Sequence, residues 1–257
     1  MLGEDRQFDF AATIASHTEM MSRYGIDKAV AIASHSSVSN DDQGRSANDI
    51  VAQACEQHPE LFLAGVGTVD PVFGERGGVS EIKRCCEQLG MRGMAWHARF
   101  QGTFLDAPPM QAYVRASVEL GLPVFLHAIG ESKLEAIWRV TSLARAFPDG
   151  RFVVLDAFTS VDNCDWIVAH AGELPNVWFD TGAISATGKI VERFVERHGA
   201  ARVVFGTTFY GAPDSYAYPA PLFEIAASSI TASDREAILS GNARELLGLS
   251  KTTPKES

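Results

Sequence analysis

Short apolar runs alternate with amphipathic stretches along most of the chain. The clearest unit starts with a turn at Gly121 and continues as an apolar run that ends at His127. This run is too short for a helix and too hydrophobic for an exposed strand, so it predicts a buried parallel strand. The stretch after it has apolar residues at helical spacing, which predicts a helix over residues 132–147. Strand and helix together form one βα unit.

Similar units account for the rest of the chain. Strands are predicted at 28–33, 61–69, 91–96, within 121–131, and at 151–157, 176–180 and 202–206. One helix is predicted before the first strand, near 16–25, and others between the strands, near 50–55, 79–89, 110–120, 162–171 and 189–198. A short extra helix is possible near 222–227. Ser16 is the candidate cap of the first helix, and Ser233 with Glu236 makes a capping box for the last helix, which runs toward Leu247.

Seven strands fit either an incomplete barrel or an open α/β sheet. A TIM-type (β/α) barrel has eight strands, and here the first is missing or irregular, because the chain opens with a loop and a helix. Polar residues recur at the carboxyl ends of the predicted strands, where a barrel carries its active site: His35, Asp70, His97, His127, Asp156, Asp180 and Thr208. We therefore predict one barrel domain over residues 1–250, followed by a disordered tail at 251–257.

Composition narrows the class of protein. The chain is 46% hydrophobic and 21% charged, as expected of a globular domain, and its net charge of −10 argues against nucleic acid or an anionic membrane as a partner. No apolar run has transmembrane length and no basic, then apolar leader follows Met1, so we predict a soluble cytoplasmic protein. The four cysteines show no Cys-x-x-Cys pair, which favours free thiols over a disulfide or a zinc site.

Six segments in this order and at these spacings resemble a known family: GMAWHARFQGTFLD, GLPVFLHAIGES, FPDGRFVVLDA, NVWFDT, RVVFGTTFYG and SGNARELLGL. They are similar to the amidohydrolase-related (amidohydrolase type 2) metal-dependent hydrolases and decarboxylases, which are TIM barrels, and the resemblance covers about residues 16–249. It implies a hydrolase acting on a small, anionic or cyclic substrate at the carboxyl-terminal mouth of the barrel. Decarboxylation of an aromatic acid in the same pocket is the alternative reaction, and a homodimer is the implied assembly.

The resemblance also implies a divalent metal, most often zinc. The family pattern has a His-x-His at the end of the first strand, a His ending the fifth, often a His ending the sixth and an Asp ending the eighth, and the bound ion activates water. Only His127 matches, because Ala157 and Thr208 occupy the sixth-strand and eighth-strand positions and no His-x-His exists in the chain. Three explanations stay open: a chain that starts late, a branch that works without metal, and a barrel without catalysis that binds a ligand or assembles.

The strand-end residues supply the candidate catalytic groups. His127 is the surviving metal ligand, a general acid/base, or a histidine hydrogen-bonded in the barrel mouth. Asp156 serves as general base if it faces the mouth near His127, and otherwise caps the next helix through Thr159 and Ser160. Asp180, beside Thr181, has a similar ambiguity, since it could equally cap a helix or fix a loop.

The loop after the predicted strand at 91–96 supplies the candidate substrate contacts. His97 and Arg99, with Trp96 and Phe100 around them, suit an anionic, aromatic carboxylate. The alternative for Arg99 is an ion pair with a nearby carboxylate such as Asp106. Thr208 and Tyr210 are further candidates, since they would place hydroxyl groups in the pocket. Four further histidines lie on or beside predicted helices, which indicates surface or packing roles: His17, His58, His170 and His198.

Overall fold

Seven parallel strands form one curled sheet in strict chain order. The structure, a computed structural model, describes residues 10–33, 43–71, 74–130, 132–184, 189–210 and 217–249. The predicted polar residue His35 and the predicted tail lie outside these ranges. The strands are β1 (Ala29–Ile32), β2 (Phe62–Thr68), β3 (Met94–Trp96), β4 (Val124–His127), β5 (Phe152–Leu155), β6 (Val177–Asp180) and β7 (Val203–Val204).

Helices alternate with these strands. They are α1 (Phe10–Tyr24), α2 (Gln43–Gln57), α3 (Gly74–Glu87), α4 (Pro108–Glu119), α5 (Ile137–Ala146), α6 (Val161–His170), α7 (Ile190–His198), α8 (Ala220–Ala227), α9 (Ala232–Glu236) and α10 (Asn242–Leu246). A π-helical turn, Ala237–Gly241, joins α9 to α10. The alternation confirms the predicted TIM-type architecture, with one strand fewer than a closed barrel among the described residues.

The two faces of the sheet bury different side chains. One face encloses an interior cluster that includes Val66, Ala95, Phe125 and Val153, and Leu246 from α10 packs against it. The other face joins the helices in a larger core. Because side chains alternate along a strand, every second residue belongs to the barrel interior. This alternation decides which strand-end residues reach the mouth, meaning the carboxyl-terminal end of the interior.

Helix α1 packs near both ends of the strand order. Strands β1 and β7 are the first and last of the order, and neither pairs with the other. The His17 ring on α1 contacts Phe62 at the start of β2, with centroids 5.8 Å apart, and Phe209 beyond the end of β7, at 4.8 Å. His17 is therefore a packing residue, as predicted.

Three predicted helix starts are wrong, namely those of α1, of α5 and of the last helical region. Helix α1 begins at Phe10, so Ser16 lies inside it. In the last helical region, Thr231 is the N-cap and its hydroxyl accepts a hydrogen bond from the Asp234 N–H, so the predicted capping box at Ser233 does not form the cap.

The start of α5 matters most for function. It begins at Ile137 instead of residue 132. The backbone before it is held differently, because the Ile129 N–H donates to the Glu135 carbonyl and the Leu105 N–H donates to the Leu134 carbonyl. These two bonds fix the segment as a loop over the mouth.

Two predictions from composition can be compared with the structure. All four cysteines are free thiols, as predicted, with Cys85 and Cys164 buried. Within the described ranges, no helix has the length and hydrophobicity needed to cross a membrane. Cytoplasmic location and a homodimer stay predictions.

Candidate active site

Strand alternation brings three polar residues into the mouth. Ala95 on β3 and Phe125 on β4 belong to the interior cluster, and Trp178 on β6 packs against it. The residue two positions beyond each one points the same way. His97, His127 and Asp180 hold these three positions, and each is buried.

Asp156 reaches the mouth by a different route. Leu155, directly before it, packs against the interior cluster, so alternation would send Asp156 toward the helices. Its backbone has φ 54°, in the left-handed region that residues other than glycine seldom adopt. The carboxylate consequently lies inside, with Oδ2 3.2 Å from His127 Nε2. Asp156 therefore faces the mouth near His127, the first of its two predicted interpretations, and caps no helix through its carboxylate.

Glu135 ties two histidines together. His97 Nδ1 lies 2.6 Å from Glu135 Oε1, and His127 Nδ1 lies 2.9 Å from Oε2. The two imidazole rings stack with centroids 3.7 Å apart and planes 16° apart. We call His97, His127 and Glu135 the imidazole cluster. Its carboxylate is fully buried, at 0% exposure.

The charges of the cluster follow from these contacts. Burial opposes the ionisation of Glu135, but hydrogen bonds from His127 and His97 outweigh it and lower its pKa to about 2. An ionised carboxylate accepts only, so both Nδ1 atoms carry hydrogen. Burial lowers the pKa of His97, which leaves it neutral. For His127, burial is outweighed by the hydrogen bonds to Asp156 and Glu135, and its pKa is raised.

The two aspartates are held in contrasting states. Burial opposes the ionisation of Asp156, but hydrogen bonds from His127 and Thr208 lower its pKa. The Asp156 Oδ1 atom accepts from Thr208 Oγ1 at 2.5 Å and from the Ala183 N–H at 2.9 Å. Burial and then the charge of Asp156 raise the pKa of Asp180 to about 7. A charged carboxylate thus faces His127, and a more readily protonated carboxyl lies behind it.

Arg99 and Phe100 form the outer part of the site. The Phe100 ring packs on His97, with centroids 4.2 Å apart, and the Arg99 guanidinium lies over the same Phe100 ring, 4.9 Å from its centroid. The Arg99 backbone N–H donates to Glu135 at 3.0 Å, while its guanidinium Nε stays 3.8 Å from that carboxylate. The Arg99 side chain is 40% exposed, so it can bind an anion entering the mouth. Asp106, the example considered as an ion-pair partner of Arg99, pairs with Arg139, and Glu135 is the nearby carboxylate within ion-pair distance of Arg99.

The remaining predicted contacts divide between the core and the surface. Trp96 is fully buried on the helix side of β3, where its indole N–H donates to the Val69 carbonyl and its ring stacks on Tyr113. The structure therefore places Trp96 in the core, outside the mouth, because His97 next to it takes the inward position. Thr208 joins the site through Asp156. Tyr210 is 46% exposed beyond β7.

Glu135 is the residue that sequence reasoning missed. In the sequence it falls within a stretch that has helical periodicity, which suggested a position on a helix. Its contacts with His97 and His127 depend on the loop before α5, and that loop depends on contacts with Ile129 and Leu105. The one feature of the sequence that could have indicated its role is its position eight residues after His127, close to the end of that strand.

The imidazole cluster is a donor set suited to a divalent metal. One ligand atom from each of His97, His127 and Glu135 lies within 4.8 Å of the others. Two imidazoles and a carboxylate match sites for zinc, iron and manganese, so these residues fit such an ion. Apart from His127, the set differs from the positions that the family resemblance implied. Ala157 has no ligand atom, and Thr208 is bonded to Asp156.

Comparison with known proteins identifies the family. The amidohydrolase family model matches residues 6–249, which is most of the chain. The chain therefore belongs to the amidohydrolase family of enzymes, as its sequence motifs predicted.

Individual relatives are more distant. The 2-amino-3-carboxymuconate-6-semialdehyde decarboxylase of Dictyostelium discoideum is 27% identical over 100 residues, a match that spans 38% of this chain and 27% of that enzyme. The structure of 2,6-dihydroxybenzoate decarboxylase from Rhizobium superposes with a TM-score of 0.67 at 18% identity, covering 90% of this chain and 87% of that one. The 5-carboxyvanillate decarboxylase of Novosphingobium aromaticivorans, complexed with manganese, gives 0.66 at 19% identity, covering 95% and 85%.

Proposed function

We propose that this protein is a carboxy-lyase that removes CO2 from a small aromatic acid. The observation that carries the proposal is the arrangement of an accessible arginine and a phenyl ring beside a buried His127–Asp156 pair. Relatives and structural neighbours named as decarboxylases support it. Hydrolysis, the first reaction that the sequence resemblance implied, stays a prediction.

Binding of the substrate follows from the outer residues. The Arg99 guanidinium is the cation that would bind the carboxylate, through charge-assisted hydrogen bonds. Phe100, which is 42% exposed, offers its ring as an apolar surface for the aromatic part of the substrate. Both residues lie next to His97, so a bound acid would have its reactive carbon near the imidazole cluster.

The His127–Asp156 pair would handle the proton. Decarboxylation forms a C–H bond at the carbon that carried the carboxylate and breaks the C–C bond, whose electron pair returns to the ring as CO2 leaves. The proton shared by His127 Nε2 and Asp156 Oδ2 would be transferred to that carbon, and a proton from water would then restore the pair. Glu135 and the stacked His97 ring fix the orientation of His127.

His97, His127 and Glu135 would hold the family's divalent metal. An ion held there would polarise a substrate oxygen, while the hydrogen bond from His127 Nε2 to Asp156 would orient the histidine from its other side. Metal content of the purified protein tests this assignment. We expect about one equivalent of a divalent metal, lost in His97→Ala, His127→Ala and Glu135→Gln but kept in Arg99→Gln. Absence of metal after purification and after incubation with zinc or manganese would contradict it.

A direct assay tests the reaction. Aromatic acids such as 2,6-dihydroxybenzoate and 5-carboxyvanillate are incubated with the enzyme, and CO2 release and the decarboxylated product are measured. We expect Arg99→Gln to raise KM by roughly tenfold or more, as for the loss of a charge-assisted hydrogen bond. Asp156→Asn is expected to lower kcat by roughly 100-fold.

Arg139→Gln is the matched control. Arg139 also lies over an exposed phenylalanine, Phe104, at 4.4 Å from its ring centroid, but its guanidinium pairs with Asp106. The control variant should keep the KM of the unmodified enzyme. Release of an alcohol, amine or ring-opened acid without CO2 would replace the decarboxylase proposal with hydrolysis. Equal effects of Arg99→Gln and Arg139→Gln on KM would remove the role of Arg99.

A further inference from the structure

Two residues near the mouth have unusual backbone conformations and are bonded to each other. Asp156 has φ 54° and Thr208 has φ 53°, and the Thr208 hydroxyl donates to the Asp156 carboxylate. A residue other than glycine in the left-handed region is strained, because its Cβ comes too close to the following carbonyl oxygen. Such strain persists only where surrounding contacts hold it, and it is concentrated at functional sites. Asp156 must therefore be held in place by its neighbours.

Asp180 supplies one of these contacts directly. Its carboxylate Oδ2 accepts the Asp156 backbone N–H at 3.1 Å. Asp180 points inward by ordinary strand alternation, and its backbone carbonyl accepts the Ala157 N–H. Asp180 thus binds the backbone on either side of the turn that directs the Asp156 side chain inward.

Two glycines make room for this arrangement. A Cβ on Gly206 would overlap Asp180 Oδ1, and a Cβ on Gly182 would overlap Asp156 Oδ1 and lie 2.7 Å from Asp180 Oδ2. Both carboxylates therefore occupy space that any side chain at these positions would fill. The absence of a Cβ at two separate positions around the same pair of carboxylates indicates a built arrangement.

We propose that Asp180 is a positioning residue that holds Asp156 in its inward conformation and so keeps its carboxylate against His127 Nε2. Asp180 itself contacts no substrate. The inference rests on the proposed role of the His127–Asp156 pair, and it extends that role to a residue one step behind the site. If it is correct, removing the Asp180 carboxylate releases the Asp156 side chain toward the helix side and breaks its contact with His127.

The test uses the imidazole N–H signals of the full-length protein without substrate. In protein labelled with ¹⁵N-histidine, a hydrogen bond to Asp156 shifts the His127 Nε2–H resonance downfield and slows its exchange, and His127→Gln assigns it. We expect Asp180→Ala and Gly206→Ala to lose this resonance, and Asp180→Asn, which keeps an acceptor oxygen, to retain it. Because the readout needs no turnover, it stands whether or not the decarboxylase proposal holds.

Asn176→Ala is the matched control. Asn176 lies just before β6, at the opposite end of the barrel from the mouth. Its side chain donates to the carbonyls of Ala144, Phe147 and Gly150. The Asn176→Ala variant should be less stable than the parent and should keep the His127 Nε2–H resonance. Retention of the His127 signal in Asp180→Ala would overturn the proposal, as would its loss in Asn176→Ala. If Asp180→Ala does not fold, Gly206→Ala decides by the same criterion.

Discussion

At the scale of single residues, Glu135 determines the state of the imidazole cluster. Its two oxygens accept from His97 and His127, and it also takes the Arg99 N–H. A buried carboxylate is tolerated only when such partners compensate for its lost hydration. Removing its charge leaves buried donors without a full set of acceptors.

We expect Glu135→Gln to lower the free energy of unfolding by about 3 kcal/mol, because the amide NH2 replaces one of the two accepting oxygens and one imidazole N–H loses its acceptor. Urea unfolding measures the change. Glu173→Gln is the control, since Glu173 pairs with Arg145 and His170 at the surface, and its variant should unfold at the same urea concentration as the parent. An unchanged midpoint for Glu135→Gln would show that the cluster does not contribute to stability.

The position of Trp96 leads to a separate prediction. Replacing it with phenylalanine should lower stability by about 2 kcal/mol, through the lost hydrogen bond to Val69 and a small cavity. The His127 imidazole resonance should stay where it is, since Trp96 faces the helices. Trp138→Phe, at a ring that is 56% exposed, should change the unfolding free energy by less than about 0.5 kcal/mol. A shifted His127 signal in Trp96→Phe would place the indole closer to the mouth than the structure does.

At the scale of elements, a buried polar network joins α2, β2 and α3. Asn48 bonds to both the Thr68 N–H and carbonyl, at 2.8 and 2.9 Å, and donates to Glu81 at 2.9 Å. Arg84 binds both oxygens of Glu81. The network fixes two helices on the strand whose neighbour, β3, leads to His97.

The stability that this network contributes depends on pH through Glu81. Burial opposes the ionisation of Glu81, but hydrogen bonds from Arg84 and Asn48 prevail and lower its pKa. A carboxyl with a lowered folded-state pKa stabilises the fold above its unfolded pKa, about 4.3, and loses that contribution as the pH falls through the folded value. Glu81→Gln should therefore be less stable than the parent at neutral pH, and the gap should narrow in acid.

Urea unfolding at several pH values checks this, with Asp49→Asn as control. Asp49 pairs with the same Arg84 but is half-exposed, so its variant should follow the parent at every pH. A gap between Glu81→Gln and the parent that stays constant down to strong acid would contradict the assignment.

At the scale of the whole molecule, the described part of the sheet is open between β1 and β7, which do not pair with each other. Strand β4 is buried along its full length, whereas β1 is only partly buried and Ile32 is 36% exposed. An edge strand has neighbours on one side only, and local opening costs less there than in the centre of the sheet. The His17 ring on α1 contacts Phe62 of β2 and Phe209 beyond β7.

Amide hydrogen exchange should therefore be faster in β1 than in β4. Exchange followed by mass spectrometry, on peptides that contain Ala29–Ile32 and Val124–His127, measures the difference. Equal protection in dilute solution would mean that another surface covers the edge. Analytical ultracentrifugation of the same sample would then show whether that surface is a second copy, as the predicted homodimer requires.

The pattern of residues along the chain was enough to predict the alternating architecture, the seven strands that the structure describes and most of the polar residues that lie together at the mouth. His97, Arg99, His127, Asp156 and Thr208 follow apolar runs, and parallel strands bring their carboxyl ends to one side of the sheet. The position of Trp96 was also within reach. It precedes His97 directly, and adjacent residues of a strand face opposite sides.

Only the tertiary structure decided the parts that depend on contacts between distant segments. Glu135 enters the site because backbone bonds to Ile129 and from Leu105 keep its segment out of α5, and local periodicity carries no record of them. Asp156 faces inward because its backbone is left-handed and is held by Asp180 and Thr208, against the alternation of its own strand. Local sequence sets the intrinsic preference of each segment, but long-range hydrogen bonds select the conformation where the preference is overruled.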